Sequence, residues 1–364
     1  MRQPLKRIQT ALKHRKLDCL LVTQPENRRY LSGYTVGDHS INESAGVLLI
    51  PATGEPYLLT DSRFELQAQR EATGFRVKLY PRGLFPLLQK MLKSLKVKRL
   101  AFESHYFLHS TSLRLAKLAD KIRIELVPLT GLVEELRLIK DEQELAKIER
   151  AVQLNELIFQ EIFQGLAPGQ TEKEVALKIE NAMRHKGAER PSFETIVAGG
   201  PNAALPHAVP GDRPLMAGEP IIIDMGLVLD GYCSDMTRTV VLGTPDEKTV
   251  ALFRLVRKAQ LAGLKALKAG VSGMVVDKVA RQVIERAGLG ERFGHGLGHG
   301  VGLNVHEGPS LNYRNRKQLA PGMVVTVEPG IYVPDWGGIR LENMAVVTAD
   351  GCRELNRDTT FLDL

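Results

Sequence analysis

Cysteine, aromatic residues and long apolar runs are all scarce in this sequence of 364 residues. The few cysteines are odd in number and far apart, which favours free thiols in a reducing compartment over a disulfide framework. They are Cys19, Cys233 and Cys352. No apolar run approaches the roughly 18 residues of a membrane span, and the basic N-terminus lacks the apolar stretch and cleavage site of a secretory signal. We therefore expect a cytoplasmic protein with no membrane association.

Several catalytic and binding motifs are absent as well. There is no GxSxG and no HExxH, which argues against a serine nucleophile elbow and against a single-zinc protease. The glycine-rich run at residues 294–302 has glycines at alternate positions and fits neither GxGxxG nor a P-loop. We expect an extended or looped segment there, because alternating glycines disfavour a helix and allow metal and substrate to approach closely.

The net charge of +7 is modest for a chain of this length. Basic clusters at residues 93–99 and 314–317 are of the kind that can bind nucleic acid. No RNA- or DNA-reading motif accompanies either cluster. We therefore interpret both as solvated surface and predict no nucleic-acid partner.

The first third of the chain alternates short apolar runs with helical periods, which is typical of an α/β layer domain. The runs lie at residues 19–22, 46–50, 57–59, 77–80, 99–102 and 122–127. Residues 26–40 are polar and contain glycine, and we interpret them as a loop that is either disordered or functional. In this loop Asp38 and His39 either reach another site or are simply exposed. A domain boundary is expected at residues 128–131.

The remainder of the chain contains an internal repeat. A long helix capped by Asp141 is followed by a second helix with Thr171 and Glu174 as a capping box. The layout of this second helix recurs about a hundred residues later, and a repeat of this length is evidence of duplication. The matched positions keep a constant separation and are Leu166 and Leu267, Gly169 and Gly270, Thr171 and Ser272, Val175 and Val276, and Gly187 and Gly288.

Carboxylates occupy matching places in the two copies. The runs GEPIIID and GMVVTVE end in Asp224 and Glu328, and each copy then passes through a turn to a second acid, Asp235 or Glu342. A charged group that ends an apolar run is costly to bury unless it is paired or bound to metal. Two copies related by approximate symmetry would bring both acid pairs to the centre. We therefore favour a metal site over a chance scatter of charges.

Histidines lie between the two acid pairs, in GHGLGHGVGLNVHEGP. With His299, the four acids would give five ligands, enough for two metals roughly 3.5–4 Å apart, as in two-metal hydrolases. The ligand types suit Mn, Co, Fe or Zn. His306 and His207 are in glycine- and proline-rich loops and are candidates for substrate and oxyanion contacts. For either of these two histidines alone, a structural role would fit as well.

The motifs taken together resemble those of one family. LPHA at His207, IDMG and SDMTR around Asp224 and Asp235, HGLGHGVGLNVHE, VEPG and IRLEN follow in the order found in the pita-bread metallopeptidases. The resemblance is to the Xaa-Pro aminopeptidase and Xaa-Pro dipeptidase (prolidase) family, and it covers essentially the whole chain, since YLSG and LTDSR resemble the family's smaller domain. It implies an α/β creatinase-like N-terminal domain with a ribonuclease H-like layer at residues 1–129. An α+β pita-bread catalytic domain with an internal pseudo-twofold repeat would follow at residues 130–364.

The resemblance also implies a site with two divalent ions per subunit, Mn²⁺ or Co²⁺ first, with Zn²⁺ or Fe²⁺ as alternatives. The implied metal ligands are Asp224, Asp235, His299, Glu328 and Glu342, with Asp235 and Glu342 bridging the ions.

Further residues match family positions that handle the substrate. His207 and His306 match histidines that contact substrate and stabilise the tetrahedral intermediate, and His295 matches a histidine that lines the substrate pocket. Arg340 matches an arginine near the site, and Glu328 would also handle the proton of the attacking water. The family generally forms homodimers, in which Asp38 and His39 would act in trans.

One departure bears on the substrate. Many dipeptidases of the family carry an arginine soon after the HE pair, suited to gripping the carboxylate of a dipeptide. Here Ser310 stands at that place, and Arg314 or Arg316 would have to substitute. We therefore expect an Xaa-Pro aminopeptidase, acting on peptides with proline second, in preference to an Xaa-Pro dipeptidase.

Two further functions are compatible with the same fold. A creatinase-like hydrolase would not need metal, which the five retained ligands oppose. A catalytically inactive pita-bread binding module would be expected to have lost ligands.

Overall fold

Two units make up the computed structural model of the chain, which describes residues 3–360: Met1–Leu136 and Arg137–Leu364. The domain boundary predicted between residues 129 and 130 stays a prediction. None of the helices within residues 3–360 has both the length and the apolar character that a membrane span requires.

A six-stranded mixed sheet forms the centre of the N-terminal unit. Its strands are β1 (Cys19–Val22), β2 (Val47–Pro51), β3 (Tyr57–Thr60), β4 (Arg76–Leu79), β5 (Arg99–Glu103) and β6 (Glu125–Leu129). Their order is β4-β3-β2-β1-β5-β6, with β2 antiparallel to both of its neighbours and the other pairs parallel. The helices are α1 (Gln3–His14), α2 (Pro25–Ser32), α3 (Glu65–Glu71), α4 (Leu84–Ser94), α5 (His109–Ile122) and a 3-10 helix at Ser104–Tyr106, and α6 (Glu134–Arg137) ends in the first residue of the second unit.

Helices cover both faces of this sheet, which explains its short, continuous apolar runs. In β1, Leu20 and Val22 pack in the core that contains the buried face of α1. Cys19 and Leu21 point the other way, into the core formed with α4 and α5. Because side chains alternate along a strand, a strand buried on both faces needs an apolar residue at every position.

The segment at residues 26–40 was expected to be a loop, and that interpretation is wrong for its first part. Helix α2 occupies most of that part and ends at Gly33, which adopts φ +83°, in the left-handed region that favours glycine. Asp38 is not exposed, because its Oδ1 lies 2.9 Å from Nη2 of the buried Arg28. His39 is exposed.

The second unit combines two helix pairs with several small sheets. Its helices are α7 (Glu142–Gln164), α8 (Glu172–His185), α9 (Glu247–Ala266) and α10 (Gly273–Glu285), with 3-10 helices at Gly200–Ala204 and Gly290–Arg292. The strands are β7 (Arg190–Pro191), β8 (Ile196–Gly199), β9 (Pro220–Met225), β10 (Leu227–Leu229), β11 (Tyr232–Cys233), β12 (Met236–Val241), β13 (Gly298–Gly300), β14 (Glu307–Leu311), β15 (Val324–Val327), β16 (Gly330–Val333), β17 (Gly337–Arg340), β18 (Asn343–Val347) and β19 (Cys352–Glu354). The sheet orders are β11-β10-β7, β12-β9-β8, β14-β13-β15-β18-β19 and β16-β17.

The predicted repeat is confirmed by backbone hydrogen bonds that occur once in each copy. The N–H of Gly169 donates to the carbonyl oxygen of Leu215 at 2.9 Å, and the N–H of Gly270 donates to that of Leu319 at the same distance. The capping box that begins α8 is also present as expected. The paired glycines adopt similar left-handed conformations, with φ +92° at Gly169 and +80° at Gly270. The two copies therefore share a backbone path as well as a sequence pattern.

Strand alternation explains where the acids point. In β9, Ile221 and Ile223 pack in the core formed with α7 and α8, so the intervening Ile222 and the following Asp224 face the other side of the sheet. Val325 and Val327 in β15 pack in the same way in the core formed with α9 and α10. The carboxylates at these strand ends therefore lie on the face away from both helix pairs.

Candidate metal centre

A cavity of about 480 Å³ in the second unit is lined by side chains from both copies of the repeat. The structure brings every site residue predicted from the sequence to this one cavity. These residues are His207, Asp224, Asp235, His295, His299, His306, Glu328, Arg340 and Glu342. Ser310 lines it too, whereas Arg314 and Arg316 are not part of its lining.

The donor atoms converge at the centre of the cavity. Asp235, His299 and Glu342 each offer a ligand atom within 4.8 Å of the other two. Nε2 of His299 lies 3.3 Å from Oε1 of Glu328 and 3.6 Å from Oδ2 of Asp235. Within residues 3–360, the buried Oδ1 of Asp224 has no hydrogen-bond partner. A buried carboxylate oxygen without a donor is costly, so this donor set fits divalent cations.

The electrostatics of the cluster fit a cation site as well. Burial raises the pKa of Asp235 and of Glu342 well above the usual range, and the neighbouring carboxylates raise both pKa values further. Burial also acts to raise the pKa of Glu328, but the hydrogen bond and charge of His299, together with the charges of His295 and Arg340, outweigh it and lower that pKa to about 2. Acids crowded in this way repel one another, and a divalent ion would relieve the repulsion.

Two threonine hydroxyls orient the carboxylates. Thr237 donates from Oγ1 to Oε2 of Glu342 at 2.7 Å, and Thr326 donates from Oγ1 to Oε1 of Glu328 at 3.0 Å. Thr326 also accepts the backbone N–H of His299 at 3.1 Å. Such outer contacts fix the direction of metal-binding side chains. The sequence did not single out these threonines, because threonine is common in strands.

Arg340 holds one side of the cavity. Its Nη2 donates to Oδ2 of Asp224 at 2.6 Å, its Nε donates to Oγ1 of Thr237 at 3.1 Å, and its Nη1 donates to Oη of Tyr332 at 2.9 Å. Arg340 is 3% exposed, so these contacts form away from water. Tyr332 is a site residue that sequence reasoning missed, since GIYV indicates only a strand.

His306 and His207 lie at the open side of the cavity and are both exposed. The ring centroid of His306 is 4.3 Å from that of His299, in an edge-to-face arrangement. Partial burial lowers the pKa of His306, and the charges of His299 and His207 lower it further. His306 is therefore neutral near pH 7 and able to donate one ring N–H.

The glycine run is extended where it forms β13, as expected, and Gly296 and Gly298 line the cavity, so the predicted approach of metal and substrate stays a prediction. The glycines also allow neighbouring strands to approach closely. A side chain at Gly298 would overlap the carbonyl oxygen of Thr326, and one at Gly300 would overlap that of Gly308. The close approach is therefore between neighbouring strands, and it brings His299 up against β15.

Comparison with known proteins places this geometry in a family. Residues 146–349 match the description "Metallopeptidase family M24", and residues 4–139 match "Creatinase/Prolidase N-terminal domain". The Xaa-Pro dipeptidase of Pyrococcus horikoshii is 33% identical over 362 residues, which cover 98% of this chain and 97% of that protein.

Solved structures of related proteins are similar to this one along almost the full length of the chain. The Xaa-Pro dipeptidase from Bacillus anthracis is 36% identical with a TM-score of 0.91, covering 98% of this chain and 97% of that one. The X-Pro aminopeptidase from Thermotoga maritima is 38% identical with a TM-score of 0.85, covering 94% and 96%. The chain belongs to the Xaa-Pro peptidases of metallopeptidase family M24, with a creatinase/prolidase N-terminal domain and a pita-bread catalytic domain.

Proposed function

We propose that the chain is an Xaa-Pro aminopeptidase that uses two divalent metal ions, Mn²⁺ or Co²⁺ first. It would hydrolyse the bond between an N-terminal residue and a following proline in peptides that continue beyond the proline. The ions would be held by Asp224, Asp235, His299, Glu328 and Glu342. When bound, such a pair supplies a nucleophile at neutral pH and polarises the scissile carbonyl.

The other residues would bind substrate and move protons. Glu328 would accept a proton from the attacking water, and its Oε1 lies 3.3 Å from Nε2 of His299. A neutral His306 would donate a hydrogen bond to the developing oxyanion, and His207 would contact the substrate. Arg340 keeps Asp224 in place through the 2.6 Å hydrogen bond.

The single observation that supports an aminopeptidase is that, in the described part of the chain, no lysine and no unengaged arginine lines the cavity. Among the described residues that line it there is no lysine, and the only arginine, Arg340, is fully engaged with neighbouring side chains. Arg314 instead donates to the hydroxyl of Tyr313 at 3.0 Å. Ser310 and the acidic Glu194 lie in the lining. The free carboxylate of a dipeptide would therefore meet no lysine or unengaged arginine among these lining residues, whereas a longer peptide carries its carboxylate elsewhere.

An Xaa-Pro dipeptidase is the second candidate. It is favoured by the names of the relatives from Pyrococcus horikoshii and Bacillus anthracis, which match nearly the whole chain. The predicted homodimer, the action of Asp38 and His39 in trans and the cytoplasmic location stay predictions.

A substrate panel under defined Mn²⁺ separates the two candidates. It compares a free Xaa-Pro dipeptide, the same dipeptide with an amidated C-terminus and a pentapeptide that begins with the same two residues. We expect kcat/KM to be higher for the amide and the pentapeptide than for the free dipeptide. A higher kcat/KM for the free dipeptide would establish the dipeptidase, and no hydrolysis of any of the three would reject both.

A further inference from the structure

A buried ion network forms around the residue that follows His306 in the sequence. That residue, Glu307, begins β14 and directs its carboxylate towards Arg137 and Lys140. Nζ of Lys140 donates to Oε1 of Glu307 at 2.8 Å, and Arg137 donates to Oε2. The exposed fractions of the three side chains are 4% for Arg137, 1% for Lys140 and 9% for Glu307.

This network fixes the loop that ends at His306. Residues 301–306 connect the strand of His299 to Glu307, and Gly302 packs against the Glu307 carboxylate so closely that a side chain would overlap it. On its other side, the loop accepts a 2.8 Å hydrogen bond at the Gly302 carbonyl from the backbone N–H of Cys233. The loop is therefore held between the ion network and the hairpin that leads to Asp235.

Stability alone does not account for three charges in such a place. The free energy needed to remove charged groups from water is about as large as the free energy gained from their attraction, and apolar residues of the same size often stabilise a protein equally well. An ion network in addition fixes the orientation of the side chains that form it. Arg137 and Lys140 donate to different oxygens of the Glu307 carboxylate and so fix its orientation. The backbone of the preceding residue, His306, is restricted as a result.

We propose that Glu307, oriented by Arg137 and Lys140, is a positioning residue that holds the ring of His306 over the cavity. The inference rests on the proposed function only for the role of His306 towards the substrate. Glu307 is not among the described residues that line the cavity, so its effect on hydrolysis would pass through His306.

A double-mutant cycle tests this coupling. We expect Glu307→Gln to lower kcat/KM on an Xaa-Pro pentapeptide by roughly 10- to 100-fold, because small displacements of a positioned group have effects of this size. In a His306→Ala background, the same substitution should cause little further loss. Losses that multiply in the double variant would overturn the proposal.

A matched control separates positioning from general destabilisation. Glu103 in the N-terminal unit is 4% exposed and accepts the backbone N–H groups of Thr23 and Gln24. We expect Glu103→Gln to lower the melting temperature, and any loss of activity to multiply with that of His306→Ala. If Glu307→Gln does not fold, Lys140→Met leaves a one-to-one ion pair and should show the same coupling with a smaller loss.

Hydrogen exchange provides a readout that does not depend on hydrolysis. In the full chain, Glu307→Gln should speed amide exchange in residues 301–306, and Glu103→Gln should not. Unchanged exchange in this loop would refute the positioning role. Inactivity of the unaltered protein on every Xaa-Pro substrate would reject the proposed function, yet the exchange result would still decide whether Glu307 orders the loop.

Discussion

The hydroxyl oxygen of Tyr332 lies 2.9 Å from Nε2 of His295. Burial raises the pKa of Tyr332 to about 12, so the hydroxyl keeps its proton at neutral pH. The hydroxyl accepts from Arg340 and is thus free to donate only to His295, whose Nδ1 lies 2.8 Å from the carbonyl oxygen of Gly296. This network assigns the ring proton of His295 to Nδ1. Tyr332 therefore links the wall of the cavity to the arginine that holds Asp224.

Replacing Tyr332 by phenylalanine removes the hydroxyl that contacts His295 and Arg340 and hardly changes the volume of the side chain. We expect kcat/KM to fall about tenfold, since a lost hydrogen bond in a buried network costs roughly 1.4 kcal/mol. The metal content should not change, because Tyr332 is not a proposed ligand. Steady-state kinetics and metal analysis of Tyr332→Phe check both parts. Full activity would show that the hydroxyl does not support the site.

Removing the metal should abolish hydrolysis, and replacing one of the proposed carboxylate ligands should slow it strongly. We expect chelation to inactivate the protein and Mn²⁺ or Co²⁺ to restore it. Glu342→Gln should lower kcat by on the order of a thousandfold, because it would remove a charged ligand from the proposed metal site. The matched control is Glu247→Gln at the exposed start of α9. Metal analysis should show fewer ions bound in Glu342→Gln alone, and undiminished activity in metal-free protein would contradict the metal mechanism.

The ion network at Glu307 should make stability depend on pH. Burial by itself would raise the pKa of Glu307, but the charges of Lys140 and Arg137 outweigh it and hold the pKa below its ordinary value. A group whose folded pKa is lowered stabilises the fold above its unfolded pKa, and the contribution is lost as pH falls through the folded value.

The free energy of unfolding of Glu307→Gln should therefore be about 3–5 kcal/mol below that of the unaltered protein near neutral pH. The difference should shrink as pH falls below the ordinary glutamate value of 4.5. Urea unfolding across this range measures it. A difference that stays constant down to the acid limit would mean that the ionised carboxylate does not stabilise the fold.

Two glycines before His299 should differ sharply in how well they tolerate replacement by alanine. Gly298→Ala should destabilise the protein by more than about 2 kcal/mol, because its new methyl group would overlap the backbone of Thr326. Gly294→Ala is the control from the same run, since nothing lies within 4 Å of a side chain there. Melting temperatures of the two variants provide the comparison. Equal melting temperatures would show that β13 and β15 can separate without cost.

Sequence reasoning found the parts of the site that leave a local or repeated trace. Asp224 and Glu328 stand out because they end apolar runs at matching places, and the helix that Asp141 begins was predicted from its capping pattern. Helix α2 was missed because its residues are mostly polar, although a proline at the first helical position was a usable signal.

Other parts arise only when distant segments meet. Lys140 and Glu307 are 167 residues apart in sequence, and neither is unusual in its own surroundings. Tyr332 is an ordinary strand residue until β16 brings its hydroxyl to His295 and Arg340. Periodicity describes which face of an element is buried, but it does not say which polar groups from other elements will lie against that face.

The duplicated backbone has a consequence for how the molecule holds metal. Each copy supplies two of the four acids, so ions bound at the centre would connect the two copies across their interface, where Glu342 of one copy accepts a hydrogen bond from Thr237 of the other. Metal binding and the association of the two copies would then be linked. Ions that bind only when the two copies are packed together stabilise that packing, and a change that separates the copies lowers the affinity for the ions.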